Sequence, residues 1–155
     1  MRLRLFSAGL ILGLSLVCAG LLAPVPACAA NPGPPAPDVV DAGFSLYAKA
    51  GAGLALDTWR KGGLAEADSG KVATQLSFFR QTDRTLGNYR AYEVVQSRRI
   101  GASSRIFYIA INYQRGAVYA RFLVYQTDKD WVVQSMDFSL KPEAIMPWLA
   151  LENPE

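Results

Sequence analysis

The chain has 155 residues, of which 51% are hydrophobic, 16 are basic and 13 are acidic, and it contains no histidine. Without histidine, any site built on the commonest general base or the commonest metal ligand of proteins is excluded. The formal charge of +3 is small for this length, and part of it belongs to the N-terminal segment.

The first 30 residues have the three-part pattern of a secretory signal peptide. Two arginines open the chain, an apolar run covers residues 5–22, and small residues lead to an Ala-x-Ala site at Ala27 and Ala29. We therefore expect cleavage after Ala29 or Ala30 and export to the periplasm or the medium. No transmembrane helix is expected in the mature protein.

Two other interpretations of this segment stay open. The apolar run is close in length to the shortest transmembrane anchors, but Pro24 and Pro26 beside the cleavage site favour a signal peptide. Cys28 follows the small Ala27, as lipoprotein processing requires, and would then carry a lipid anchor. Pro26 and the end of the apolar run at Leu22 fit that processing poorly, so lipid anchoring is the less favoured alternative.

Removal of the signal peptide also removes both cysteines, Cys18 and Cys28, so the mature domain is expected to contain no disulfide bond. The two opening arginines are lost as well, which leaves 14 basic residues against 13 acidic ones. A nearly neutral domain lacks the basic surface that nucleic-acid binding requires. Residues 31–37 form a proline-rich spacer, and residues 38–155 are long enough for a single domain.

Apolar residues in the first half of the chain recur at helical spacing. A helix is predicted to begin at Asp38 and to break at Gly51 and Gly53 before it continues. Its expected buried stripe contains Val40, Phe44, Tyr47, Gly51 and Leu54. A further helix is predicted between Ser69 as its cap and Gly87 as its stop. Its stripe contains four apolar residues and one aspartate, namely Val72, Leu76, Phe79, Asp83 and Leu86.

From residue 88 onwards the period of the pattern changes to two, which is typical of strands. Short turns separate the four predicted strands, which cover residues 89–98, 104–114, 117–127 and 131–140. Connections of this length favour an antiparallel meander. Pro142 then favours the start of a short terminal helix that carries Ile145, Trp148 and Leu149. The sequence thus predicts an α+β domain whose helices pack on one face of a curved four-stranded sheet.

Large residues occupy both faces of the predicted sheet. In the third strand, the two sets are Tyr119, Leu123 and Tyr125 on one face and Val118, Phe122 and Val124 on the other. The helices cover one face, so an apolar patch of the kind that marks an interaction site is expected on the other. A homodimer through the sheet is therefore predicted. In the alternative, the terminal segment around Trp148 folds back over the patch in a monomer.

The element order and turn positions of four stretches match a known superfamily. The stretches are Trp59–Gly63, Leu86–Tyr89, Tyr92–Val95 and Trp131–Glu143. They resemble exported bacterial proteins of the nuclear-transport-factor-like superfamily, whose cystatin-like α+β fold wraps a curved antiparallel sheet around helices as a cone. The resemblance covers about residues 38–150 and implies a pocket between the helices and the concave face, and often a dimer through the other face. It includes no catalytic motif, and the superfamily contains both enzymes and binding modules.

Few side chains of the mature domain suit catalysis. With histidine and cysteine absent, serine triads, thiol catalysis and Cys/His metal sites are excluded, so no metal or cofactor is expected. Asp137, between Met136 and Phe138, is the one candidate for an Asp/Tyr site of the type that some members of the superfamily use. Alternation places it on the face opposite both neighbours, where a solvent-facing aspartate is the simpler interpretation.

The candidate ligand-binding residues are Arg105, Arg121, Tyr108 and Trp59. Both arginines are predicted on strands, beside apolar residues, and suit an anionic ligand at the mouth of a pocket. In the simpler interpretation, their stems cover apolar surface and the tryptophan anchors the core.

Two functions are compatible with this chain. The leading hypothesis is an exported non-enzymatic module that binds a small apolar molecule, an envelope component or a protein partner. The alternative is an isomerase or dehydratase that uses Asp137 and a tyrosine in the cone pocket. The position of Asp137 separates them, because catalysis requires it in an enclosed pocket within hydrogen-bond reach of a tyrosine.

Overall fold

The computed structural model describes residues 36–67 and 69–148, with Ser69 described by its backbone alone. The predicted signal peptide, its cleavage sites and Cys28 lie outside these residues, as do Leu149 and most of the proline-rich spacer. None of the helices within the described ranges is both long and apolar enough to cross a membrane.

The helices precede the sheet in the chain, as predicted. They are α1 (Asp38–Ala50), α2 (Ala52–Arg60), one turn of 3₁₀ helix (Leu64–Ala67) and α3 (Ser69–Leu86). The predicted break after α1 is confirmed at Gly51, whose φ of 83° is a left-handed conformation that glycine adopts without strain. Helix α3 stops at Gly87 for the same reason, with a φ of 82°.

The second half of the chain forms an antiparallel meander in the order β1-β2-β3-β4, followed by a short helix. The elements are β1 (Tyr89–Arg99), β2 (Ser104–Tyr113), β3 (Ala117–Gln126), β4 (Trp131–Ser139) and α4 (Pro142–Ile145). The predicted α+β class and the strand positions are therefore confirmed.

The face of the sheet that packs on the helices, here called the inner face, contributes most of the core. Opposite residues such as Phe107 on β2 and Phe122 on β3 project to this face together. Phe44 from α1, Trp59 from α2 and Phe79 from α3 pack on them, and all five are almost completely buried. Burial of these rings removes a large apolar area from water and is the main source of stability for a domain without a disulfide bond.

Three details of the predicted helices are wrong. The terminal helix ends at Ile145, so it does not carry Trp148. Leu54, expected in the buried stripe, is 51% exposed on α2. On α3 the residues buried beside Phe79 are the polar Gln75 and Thr82, so the buried face is turned away from the predicted position of Asp83. Gln75 is tolerated there because its side-chain amide donates a hydrogen bond of 3.1 Å to the backbone carbonyl of Met136 in β4.

The opposite face of the sheet, here called the outer face, is covered at its centre by the terminal segment, residues 141–148. Ile145 and Met146 of this segment pack on Tyr108 of β2, and all three are at most 5% exposed. The ring of Trp148 meets Tyr108 edge-on, with a centroid distance of 4.5 Å. This is the arrangement that the sequence offered as the alternative to a dimer.

Candidate functional site

The space inside the curved sheet is filled by aromatic side chains. Phe44 stacks on Tyr92 at 4.0 Å between centroids and meets Trp59 edge-on at 4.8 Å. Trp59 in turn meets Phe122 at 5.1 Å, and its indole N–H donates a hydrogen bond to the carbonyl of Val40 at 3.1 Å. Trp59 is completely buried and therefore presents no surface to a ligand at this position.

Asp137 lies in an ion-paired position on the outer face. Its carboxylate accepts a hydrogen bond of 2.8 Å from Nη2 of Arg121, the residue directly opposite on β3, and lies 3.5 Å from Nζ of Lys71. No tyrosine is among the described hydrogen-bond partners of Asp137. Asp137 therefore lacks the tyrosine partner that the catalytic hypothesis requires. Arg121, a candidate for binding an anionic ligand, is already paired with the carboxylate of Asp137.

Tyr108, another candidate for ligand binding, lies beneath the terminal segment. It is 5% exposed under Met146 and Trp148. A ligand could reach its ring only after displacement of that segment.

The sequence did not identify one Asp/Tyr cluster that the fold creates. The hydroxyl of Tyr47 in α1 lies 2.7 Å from that of Tyr113 in β2 and donates to Oδ1 of Asp83 in α3 at 3.3 Å. Burial raises the pKa of both phenols. Burial also raises the pKa of Asp83, although the hydrogen bond from Tyr47 opposes this effect. The feature of the sequence that pointed to this cluster was Asp83, a charged residue within the predicted apolar stripe of α3.

This cluster has the composition of an acid–base site but not the surroundings of one. Tyr47 and Tyr113 are each 4% exposed, and their hydroxyls are hydrogen-bonded to one another. The cavities described for the chain are lined by none of the three residues. Their arrangement is a polar link that joins α1, α3 and β2, in which the two tyrosines are buried and Asp83 is exposed.

The largest of the described cavities is a surface groove at one end of the sheet, with a volume of about 600 Å³. We call it the rim groove. It lies between the start of α1, the end of α2 and the start of β4, and its walls include Val39, Ala42, Lys61, Gly62, Trp131 and Val132. The other described cavities measure about 100, 220 and 230 Å³.

Local sequence explains the walls of the rim groove. Gly62, with a φ of 73°, lets the chain turn sharply after α2. On the other side, the hydroxyl of Thr127 accepts hydrogen bonds from the backbone N–H groups of Lys129 and Asp130, at 3.3 and 3.0 Å. This side-chain-to-backbone turn fixes the connection between β3 and β4 and places Trp131 at the groove.

Arg105, the remaining candidate, lies beside the rim groove. Its guanidinium carbon is 5.3 Å from the centroid of the Trp131 ring, a cation–π distance. Arg99 of β1 is the residue directly opposite Arg105. Of the residues that the sequence suggested for ligand binding, Arg105 alone lies next to a sizeable cavity, and Trp131 was not among those candidates.

Within the described residues, no group of three or more Asp, Glu, Cys or His side chains could hold a metal ion. Comparison of the chain with protein-family models, with curated proteins and with solved structures found no match.

Proposed function

We propose that this protein is an exported, non-enzymatic binding module that holds its partner in the rim groove. One contrast carries the proposal. The interior between the helices and the inner face, where a cone-shaped fold would place a pocket, is filled by Phe44, Trp59 and Phe122, whereas the largest described cavity opens at the rim of the sheet, beside the start of β4. A volume of about 600 Å³ is within the usual range of ligand sites.

The chemistry of the groove favours binding over catalysis. Its walls combine apolar surface from Val39, Trp131 and Val132 with the flexible cation of Lys61, and no histidine or cysteine is present in the mature domain. A general acid or base would need an enclosed position and a perturbed pKa, and the groove is open to solvent. The isomerase or dehydratase alternative is less well supported, because Asp137 is ion-paired with Arg121 and has no tyrosine among its described hydrogen-bond partners.

Export is part of the proposal and rests on the N-terminal pattern of a signal peptide. The intact mass of the protein isolated from its native envelope tests it. A mass that begins at Ala30 or Asn31 supports export with cleavage. A mass that retains residues 1–27, or that includes diacylglycerol on Cys28, contradicts it.

The predicted homodimer through the sheet is less well supported than a monomer. The terminal segment already buries Tyr108, Ile145 and Met146 at the centre of the outer face. What stays accessible there includes Tyr125, which is 39% exposed near the end of β3. We therefore propose that the mature protein is a monomer while the terminal segment is in place.

A matched pair of variants tests the groove as the binding surface. Ala42 and Ala48 are both exposed on α1, but Ala42 alone lines the groove. Mature protein secreted from its full-length precursor is immobilised and incubated with native envelope extract as wild type, Ala42→Arg or Ala48→Arg. We expect at least one species to be retained by wild type and Ala48→Arg and lost with Ala42→Arg, because the arginine fills the groove.

Retention by all three proteins, or by none of them, contradicts the proposal. Circular dichroism and thermal melting of the three proteins verify that the arginine at position 42 leaves the fold intact. A lipid-like molecule that co-purifies with the wild type and is bound at the inner face also contradicts it.

A further inference from the structure

Two arginines form a cross-strand pair at the end of the sheet nearest the rim groove. Arg99 of β1 and Arg105 of β2 are directly opposite in the antiparallel ladder, so their side chains project to the same face. Like charges in such a position repel one another. Among the described residues neither arginine forms a salt bridge, so no carboxylate at salt-bridge distance offsets this repulsion.

Trp131 connects this pair to the groove. Its ring lines the groove and also lies 5.3 Å from the guanidinium carbon of Arg105. A guanidinium on an indole ring loses part of its rotamer freedom while its N–H donors at the edge stay available. Arg105 is accordingly pre-organised, and Arg99, which is exposed, can converge on the same ligand atom.

The charged side chains that line the groove cancel one another, so the net charge near it comes from the arginine pair. Lys61 and Lys129 line the groove together with Asp38 and Asp130, so these four charges cancel. Arg105 adds a positive charge beside Trp131, and Arg99 adds a second one directly opposite Arg105 on β1. The end of the groove near the pair therefore attracts an anion, and the apolar side chains of the groove favour an apolar group.

We infer that the rim groove binds an anionic amphiphile. Its phosphate or carboxylate head is held between Arg99 and Arg105, and its apolar body lies against Trp131 and Val132. A planar guanidinium binds such a head through two parallel N–H donors, which makes arginine the side chain best suited to this contact. The inference rests on the groove being the binding surface proposed above, and adds the chemical class of the ligand.

Calorimetric titration of the mature protein with dodecyl phosphate below its micellar concentration tests this inference. Inorganic phosphate and dodecyl maltoside are titrated in parallel, since the first has the head without the chain and the second has the chain without the charge. We expect dodecyl phosphate to bind at least ~10-fold more tightly than either, because both contacts are made only by the amphiphile.

Variants locate the site. Arg99→Gln and Arg105→Gln are each expected to weaken dodecyl phosphate about 10-fold or more, as loss of a charge-assisted hydrogen bond does. Arg105→Lys retains the charge but loses the planar fork, and is expected to bind with intermediate affinity. Arg80→Gln removes an exposed arginine of α3, away from the groove, and should leave the affinity unchanged. The indole N–H resonance of Trp131 should shift on binding in the wild type.

The other outcomes separate the two proposals. Equal binding of dodecyl maltoside and dodecyl phosphate, with the Trp131 resonance shifted, overturns the anionic ligand and leaves the groove as a binding surface. Equal binding of inorganic phosphate and dodecyl phosphate overturns the amphiphile, because the pair then recognises free phosphate. If binding is unaffected by Arg99→Gln and Arg105→Gln, the proposed site is wrong. If none of the probes binds, the inference is wrong, whatever the extract experiment shows.

Discussion

The indole nitrogen of Trp59 donates a hydrogen bond of 3.1 Å to the carbonyl oxygen of Val40, one helix away and beneath the sheet. This bond fixes the largest side chain of the core against α1, where Gly43 leaves space for the ring. The position in which a cone-shaped fold would hold a ligand is thereby occupied by the protein itself. The proposed binding surface is therefore on the outside of the domain.

Substitution of Gly43 tests how tightly this interior is filled. A Cβ atom at Gly43 would overlap the ring of Trp59, so Gly43→Ala is expected to lower the free energy of unfolding by about 1–3 kcal/mol. Gly53, in α2, is the matched control because nothing lies within 4 Å of its added Cβ atom. Gly53→Ala is expected to raise that free energy by about 0.4–1 kcal/mol. Urea denaturation measures both, and equal effects would contradict the packing described.

The buried tyrosine pair predicts unequal costs for two similar substitutions. Tyr47→Phe leaves the hydroxyl of Tyr113 without its partner in the core, at an expected cost of about 1–3 kcal/mol. Tyr113→Phe leaves Tyr47 with Asp83 as acceptor, so its cost should be smaller, about 0.5–1.5 kcal/mol. The double variant should lose less than the sum of the two. A larger loss for Tyr113→Phe than for Tyr47→Phe would show that the pair is arranged differently.

Asp83 predicts a pH dependence. Because burial raises its pKa above the ordinary 3.8, the ionised carboxylate disfavours the folded state relative to the protonated acid. This cost is complete above the raised pKa and disappears as the pH falls to 3.8. Asp83→Asn should therefore be more stable than wild type at pH 7, with a difference that shrinks as the pH falls.

Urea denaturation across this pH range measures the difference between Asp83→Asn and wild type. Asp57→Asn, an exposed carboxylate of α2, serves as the control for loss of one negative charge. A difference for Asp83→Asn that grows on acidification would contradict the assignment.

The terminal segment predicts the state of assembly. Wild type should be a monomer by light scattering at micromolar concentration, because its own residues cover Tyr108. Ile145→Asp places a charge where that side chain is 3% exposed, which should release the segment and cause concentration-dependent association. Ala144→Asp alters an exposed residue of the same helix and should stay monomeric. A wild-type dimer would restore the sheet-face interface that the sequence predicted.

Most of the fold could be predicted from local patterns. Gly51 and Gly87 mark helix ends, and the change of apolar period near residue 88 marks the start of the sheet, because both depend on neighbouring residues only. On α3 the burial of Phe79 was predicted, but the burial of Gln75 and Thr82 could not be. Gln75 is buried there because its side-chain amide donates a hydrogen bond to the carbonyl of Met136. A local apolar pattern cannot reveal a partner that is 61 positions away.

Most of the candidate site could not be predicted from the sequence, for the same reason. Trp59 and Trp131 are both tryptophans beside charged residues in the sequence, yet one fills the core and the other lines the groove. Their difference arises from which element packs on each of them. Arg105 was identified as a ligand-binding candidate, but its alignment with Arg99 depends on the strand register, which sequence alone did not provide.

The central claim is that the partner occupies the rim groove and not the filled interior between the helices and the inner face. The most direct test is a map of NMR amide and indole shift changes in the ¹⁵N-labelled mature protein as the species retained from envelope extract is added. We expect the changes to concentrate on Ala42, Lys61, Gly62, Trp131 and Val132. Changes confined to the inner face, with the groove signals unmoved, would contradict the account.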